Sequence, residues 1–188
     1  GYASESSYGA SSYLLLRPTG NVLIDSPRAT KPLLKRLREL GGARYMFLTH
    51  RDDVADHALF ARELGCQRIL HEADLSPDTR EVELILRGRS PVELAPDLLA
   101  IPVPGHTRGS TVLLCQGAAP YLFTGDHLAG DDAGTPATQL EAWRSVCWYS
   151  WPQQTSSMES LLAHDFTWVL PGHGRVLCTD SAAGMREK

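Results

Sequence analysis

Four times along this chain, an apolar run of strand character ends directly in a small polar cluster carrying histidine or aspartate. Met-Phe-Leu-Thr runs into His50, and Ile-Pro-Val-Pro-Gly into His106. Tyr-Leu-Phe-Thr-Gly runs into Asp126 and His127, and Trp-Val-Leu-Pro-Gly into His173. Strand ends in layered α/β folds gather along one edge of the sheet, where loops hold ligands. A single histidine after a strand is ordinarily a cap or a solvent-facing ring. Four clusters built alike, three of them with glycine immediately before the polar residue, point to a bound metal, because glycine lets the backbone approach an ion closely. Imidazole and carboxylate together suit zinc, iron or manganese.

The segments between the clusters read as an alternation of strands and helices. Residues 12–16 and 21–25 are short strands joined by a turn of Arg-Pro-Thr-Gly. Residues 31–40 carry Leu33, Leu34, Leu37 and Leu40 at helical spacing, closed by Gly41 and Gly42. Residues 44–49 form a buried strand, and 54–64 a helix stopped by Gly65. Residues 67–70, 81–86, 98–103, 111–115, 121–124 and 166–170 read as strands. A helix is expected over 152–164, with proline in its first turn, where the missing N–H costs nothing. A further helix-like stretch begins at Asp180. The pattern is that of one α/β or α+β domain spanning residues 1–188, with helices layered on sheet and both ends reading as cut from a longer chain.

Composition narrows the function classes. The chain has 188 residues, 43% hydrophobic and 21% charged, the balance of a globular protein with one core. A formal charge of −4 gives no bulk attraction to nucleic acid or to an anionic membrane. No apolar run nears the roughly 18 residues that would span a bilayer. The first residues are small and polar, without the basic start or apolar middle of a leader. Four widely spaced cysteines without a CxxC pair read as free thiols of a reducing compartment, so a cytoplasmic location is expected.

The first cluster, His-Arg-Asp-Asp-Val-Ala-Asp-His from residue 50, also reads as a helix start. In that reading Asp52 or Asp53 caps the helix and Asp56 adds negative charge to its first turn. In their order, the motifs resemble the metallo-β-lactamase superfamily. Asp25 in Val-Leu-Ile-Asp matches the acidic residue closing that family's early strand, and Thr49-His50 opens the place of its His-x-His-x-Asp-His motif. Pro-Gly-His-Thr-Arg-Gly-Ser from residue 104 matches the third-ligand loop. Thr-Gly-Asp126 matches the bridging aspartate, and Pro-Gly-His173-Gly the last histidine. The resemblance runs from about Ser12 to Arg175. It implies a four-layer αβ/βα sandwich of two mixed sheets flanked by helices, with one or two divalent metal ions: zinc foremost, or iron or manganese.

Carried over by position, the resemblance assigns His50 and His106 to a first metal, Asp126 to a bridge and His173 to a second metal. The first motif departs from the family. Asp52 stands where the second histidine is expected, and the Asp-His pair follows two residues late as Asp56 and His57. Without a gap the family's pair falls on Val54 and Ala55, which cannot ligate. With a gap, Asp56 and His57 take those roles. A shift of two residues on a helix rotates a side chain by about 200°, so that alternative needs a longer loop before the helix. Asp52 as a ligand hardens the site toward iron or manganese.

The activity implied is that of a metal-dependent hydrolase acting on a small-molecule ester, thioester, lactone, amide or phosphodiester, with no nucleic-acid or membrane partner. Asp126 serves the metals, and Asp56 or Asp53 orients the attacking water. Two other readings stand beside it: a di-iron redox protein, and a degenerate domain that binds metal or a partner without catalysis. The chain shows neither the added C-terminal helical domain of glyoxalase-II-type thioesterases nor the long insertion of RNA-processing members. Residues 143–151 hold three of the four tryptophans and read as a loop covering core, or as an apolar wall beside the site.

Overall fold

The computed structural model describes residues 9–188, so the polar start over residues 1–8, read above as no leader, lies outside the described residues. The chain divides into two compact units that meet between Leu86 and Arg87.

The first unit is a five-stranded sheet ordered β1-β2-β3-β4-β5. β1 (Tyr13–Leu15) and β2 (Val22–Ile24) form an antiparallel hairpin, while β3 (Tyr45–Phe47), β4 (Gln67–His71) and β5 (Leu84–Leu86) join in parallel. Parallel pairing needs crossovers, and two of them are helices, α1 (Lys31–Glu39) and α2 (His57–Leu64). α1 starts where Thr30 Oγ1 accepts the Leu33 N–H, with Pro32 in the first turn, and it buries Leu34 and Leu37. These leucines meet Leu23, Met46, Phe60 and Leu70 in one apolar core.

The helix expected over 54–64 begins only at His57. Neither Asp52 nor Asp53 caps it. Asp56 occupies the cap position, but its carboxylate accepts the Ala29 N–H at 2.8 Å, 27 residues upstream, instead of an N–H of its own helix. The loop after β3 is therefore longer than the periodicity suggests. The strand expected over 81–86 likewise shortens to 84–86, because residues 76–82 close into turns through Arg80 N–H to Ser76 O and Val82 N–H to Thr79 O.

The second unit is a six-stranded mixed sheet ordered β13-β12-β9-β8-β7-β6. β6 (Val92–Ala95), β7 (Leu98–Pro102), β8 (Thr111–Cys115) and β9 (Tyr121–Gly125) run antiparallel in succession. β10 (Ala129–Gly130) and β11 (Leu140–Glu141) pair separately. After α3 (Trp151–Ser160), β12 (Trp168–Pro171) joins β9 in parallel, and β13 (Leu177–Cys178) closes the edge before α4 (Ala182–Arg186). Every residue of β8 is buried, as a central strand covered on both faces requires. Leu161 beyond α3 and Met185 of α4 pack onto Val112, Leu114, Leu122 and Val169. The helix expected over 152–164 is α-helical to Ser160 and tightens to a 3₁₀ turn over Leu161–Ala163. β10, β11 and β13 carry two residues each, too few to show a period in sequence, and β6 is not among the strands expected from it. Among the described residues no helix is long and apolar enough to cross a membrane.

A buried polar group stiffens the first unit. Arg68 on β4 donates to both carboxylate oxygens of Glu83, to the Glu81 carbonyl and to His57 Nδ1 at 3.1 Å. Guanidinium only donates, so His57 Nδ1 accepts and the ring is neutral. Burial, then the Arg68 cation, lowers the His57 pKa from its usual 6.5. The unfolded chain thus binds a proton that the folded one refuses. The stability tied to His57 is complete above pH 6.5 and is lost as pH falls from there toward the lower folded-state value. Urea midpoints measured from pH 7.5 to 5 are expected to decline below 6.5 in the wild type and to decline less in His57→Gln. Equal slopes for the two proteins would refute this account.

Candidate metal-binding loops

In the first unit, the parallel pairing of β2 with β3 sets Asp25, just past β2, beside the chain leaving β3. The Asp25 N–H donates to Phe47 O at 2.9 Å. Asp25 has φ 55°, a left-handed backbone that aspartate tolerates better than most residues. In this position its buried carboxylate accepts the Thr49 N–H at 2.7 Å and the Thr49 hydroxyl at 2.9 Å. The hydroxyl's one proton goes to the carboxylate, so Thr49 Oγ1 accepts from His50 Nδ1 at 3.0 Å. Carboxylate, hydroxyl and imidazole form a relay that fixes the tautomer and leaves the His50 lone pair on Nε2, the arrangement in which metal-ligating histidines are held.

His50 Nε2 lies 3.9 Å from an oxygen of Asp52 and 3.9 Å from an oxygen of Asp53. The two carboxylates differ in setting: the Asp52 side chain is 43% exposed and that of Asp53 only 4%. The loop is pinned from both sides, Ser26 N–H donating to Asp53 O and Arg51 N–H to the buried Asp74 carboxylate. Asp56 and His57 take no part in this grouping. Asp56 is held by Ala29 N–H and by Arg28 at 3.8 Å, and the Nδ1 lone pair of His57 is committed to Arg68. Asp53 was legible in sequence as a cap or a water-orienting acid, not as a carboxylate set against His50.

In the second unit, β7 and β9 flank β8 antiparallel, and β12 runs parallel to β9. The carboxyl ends of β7, β9 and β12 therefore reach the same sheet edge and deliver His106, Asp126 and His173 there. His106 Nε2 stands 3.7 Å from Asp126 Oδ2. Asp126 accepts both the backbone N–H of His173 at 3.1 Å and its ring Nδ1–H at 2.8 Å. As at His50, the hydrogen bond takes Nδ1 and leaves the neutral ring's lone pair on Nε2. The donor set is mixed imidazole and carboxylate, which fits zinc, iron or manganese.

The His106 loop is rigid. Val103 N–H donates to Ser110 O, Gly105 N–H to Thr107 O, and Thr107 N–H to Ser110 Oγ. A Cβ on Gly105 would lie 2.3 Å from the Gln154 backbone, so only glycine allows α3 to seat against this loop. The same seat buries His127, which the sequence placed beside Asp126 without a role. Its ring nitrogens have no hydrogen-bond partner among the described residues, and burial followed by the charge of His106 pushes its pKa down to about 3.

Asp25→Ala removes the acceptor of the relay and puts alanine into a left-handed backbone. A loss of about 2 kcal/mol is expected, read as a fall in urea midpoint that exceeds any fall in metal content. Lost metal at an unchanged melting temperature would reverse the assignment of Asp25 as a structural residue.

No protein-family model matches the chain. Among curated proteins it is similar to a hydroxyacylglutathione hydrolase of Anaeromyxobacter dehalogenans (strain 2CP-C), 35% identical over 127 residues. The match covers 64% of this chain and 48% of the relative, so the chain spans about half the length of that protein. Among solved structures it is similar to TTHA1623 in a di-iron-bound form, with TM-score 0.71 and 20% identity over 96% of this chain and 93% of that one. It is also similar to the BLEG-1 B3 metallo-β-lactamase, with TM-score 0.68 and 18% identity over 96% and 92%. The DIM-1 metallo-β-lactamase gives TM-score 0.66 at 18% identity over 95% and 83%. These alignments run through both units, and their mixed sheets flanked by helices are those described above: the chain has the metallo-β-lactamase fold.

Proposed function

We propose that the chain is a metal-dependent hydrolase, in which His50, Asp52, Asp53, His106, Asp126 and His173 hold one or two divalent ions. The observation that carries the reading is the delivery of His106, Asp126 and His173 to one sheet edge, with Asp126 within 3.7 Å of His106 Nε2 and 2.8 Å of His173 Nδ1. Bound there, a divalent ion lowers the pKa of water and polarises the carbonyl or phosphoryl group under attack. The chain's own contribution is orientation and proton handling. The relay from Asp25 through Thr49 keeps the His50 proton on Nδ1. Asp53, buried against His50, is the carboxylate placed to orient water, the role first considered for Asp56. Asp56 and His57 serve the fold in this reading, because their polar atoms are taken by Ala29, Arg28 and Arg68.

Esters, thioesters, lactones, amides and phosphodiesters all present a polarisable carbonyl or phosphoryl group. The partial likeness to a hydroxyacylglutathione hydrolase supports a thioester among them. Zinc is the first choice of metal. The likeness to a protein in a di-iron-bound form, with Asp52 beside His50, supports iron as the second and keeps a di-iron redox reading open to test. The wide spacing of Cys66, Cys115, Cys147 and Cys178, with no CxxC pair, supports a cytoplasmic location. Alignment of both units to single solved chains supports one functional domain.

Elemental analysis of the purified protein and an ester and thioester panel test the reading together. His106→Ala and Asp126→Ala are expected to lose bound metal and at least a hundredfold in hydrolysis, while far-UV dichroism stays native. Full metal content in both variants would place the centre elsewhere. Metal without turnover of any panel member, together with a reducible iron signal, would favour the redox reading.

Asp52 sets the metal preference. With the helix starting at His57, Asp52 is no cap, so Asp52→His changes the donor set without removing a helix-terminal hydrogen bond. Imidazole is the softer donor, and competition binding is expected to shift toward zinc over manganese by about tenfold. An unchanged ratio would remove Asp52 from the ligands.

A further inference from the structure

Within the aromatic segment over residues 143–151, Trp143 and Trp151 are half-buried, but Trp148 and Tyr149 do not cover core. Trp148 is 60% exposed and Tyr149 39%, and both stand at the surface beside the His106 loop. The segment is fastened to that loop by hydrogen bonds. Trp148 N–H donates to His106 O at 3.0 Å, Ser150 N–H to Gly105 O at 2.9 Å, and Cys147 Sγ to Gly105 O at 3.2 Å. The Trp148 ring stands edge-on to the His106 ring, centroids 6.4 Å apart. Exposing this much indole costs hydrophobic free energy that the fold itself does not require.

A second feature adjoins it. Arg108, two residues beyond His106, carries its guanidinium 5.0 Å over the Tyr149 ring. Tyr149 Oη accepts from Gln153 Nε2, and Gln153 Oε1 accepts from Arg89. The Gln153 hydrogen bond and the cations of Arg108 and Arg89 bring the Tyr149 hydroxyl below its usual pKa. Neither arginine forms an ion pair among the described residues, whereas Arg175 and Arg186 in the same unit pair with Asp132 and Asp165. The Tyr149 ring and hydroxyl hold Arg108 in place, and the guanidinium's other N–H donors suit a planar or tetrahedral oxyanion.

Resting on the hydrolase reading of the neighbouring centre, we propose that Arg108, Tyr149 and Trp148 form its substrate-recognition wall. Arg108 grips an oxyanion on the substrate, carboxylate or phosphate, with Arg89 as the second cation. Trp148 covers the apolar part next to the scissile group, and Tyr149 is a positioning residue for Arg108. The substrate class is thus an anionic acyl or phosphoryl compound with an apolar portion.

The metal-loaded full chain tests this with two esters, neutral p-nitrophenyl acetate and anionic mono-p-nitrophenyl succinate. Arg108→Gln is expected to raise KM for the succinate ester about tenfold relative to KM for the acetate, the worth of a charge-assisted hydrogen bond partly open to water. Tryptophan fluorescence supplies a readout independent of turnover. Glutarate and inorganic phosphate are titrated into wild type, Arg108→Gln and Trp148→Phe. A response in the wild type that weakens in Arg108→Gln and disappears in Trp148→Phe supports the wall. The stronger responder of the two anions decides between carboxylate and phosphate. If neither ester is hydrolysed but this binding pattern appears, the wall stands and the hydrolase reading falls. If acetate is hydrolysed while Arg108→Gln leaves succinate kinetics and anion binding unchanged, the wall is overturned.

Discussion

Parallel pairing of neighbouring strands is the constraint on which the chemistry of each unit depends. In the second unit β12 lies beside β9 in parallel, so both chains leave the sheet in the same direction and Asp126 and His173 emerge side by side. The pairing shifts register between Leu170 and Pro171, and Gly172 N–H then donates to Gly125 O. A bulge of this kind re-aims the residues that follow it. The first unit repeats the device: β2 and β3 are parallel, and their carboxyl ends set Asp25 against Thr49 and, through it, His50. In both units a carboxylate on one strand end orders an imidazole on the next.

That order rests on hydrogen bonds to Nδ1, and it has an electrostatic side. The ring nitrogen facing the neighbouring carboxylates in the first unit is Nε2, 3.9 Å from oxygens of both Asp52 and Asp53. Negative charge gathers around a neutral imidazole whose proton is held on its far side. Such a place favours a cation, and the buried setting of Asp53 strengthens the attraction by excluding water. The first loop is thus biased toward a positive guest by the position of one proton, held by a residue 25 places earlier in the chain.

Much of this was legible in sequence, for definite reasons. Elements with an interior period of their own, such as the leucines of α1 or the unbroken apolar run of β8, declare themselves locally. The four strand-end clusters did so too, because each couples a strand to its loop within a few residues. What escaped depends on distant partners. Asp56 reads as a helix-turn acid, yet its carboxylate serves Ala29. His57 reads as the second half of an Asp-His pair, yet its Nδ1 lone pair belongs to Arg68. Asp53 reads as a cap only if the helix begins early, and the later start frees it to lie against His50. Ala29 and Arg68 lie 27 and 11 residues from these side chains, and Asp53, though only three residues from His50, is placed by a helix start that no local pattern announces. Two-residue strands such as β10 and β13 are equally silent, since they exist only through the neighbour that completes them.

The fastening of residues 147–150 to the His106 loop has an evolutionary consequence. Two of its three hydrogen bonds come from main-chain N–H groups, which every residue but proline supplies. The side chains at 148 and 149 can therefore be exchanged without moving His106, and the segment can be rewritten while its foundation stays in place. Exchange of side chains at the surface is separated from the position of the His106 ring by the backbone itself. A lineage of such chains can change what it recognises in small, individually tolerated steps.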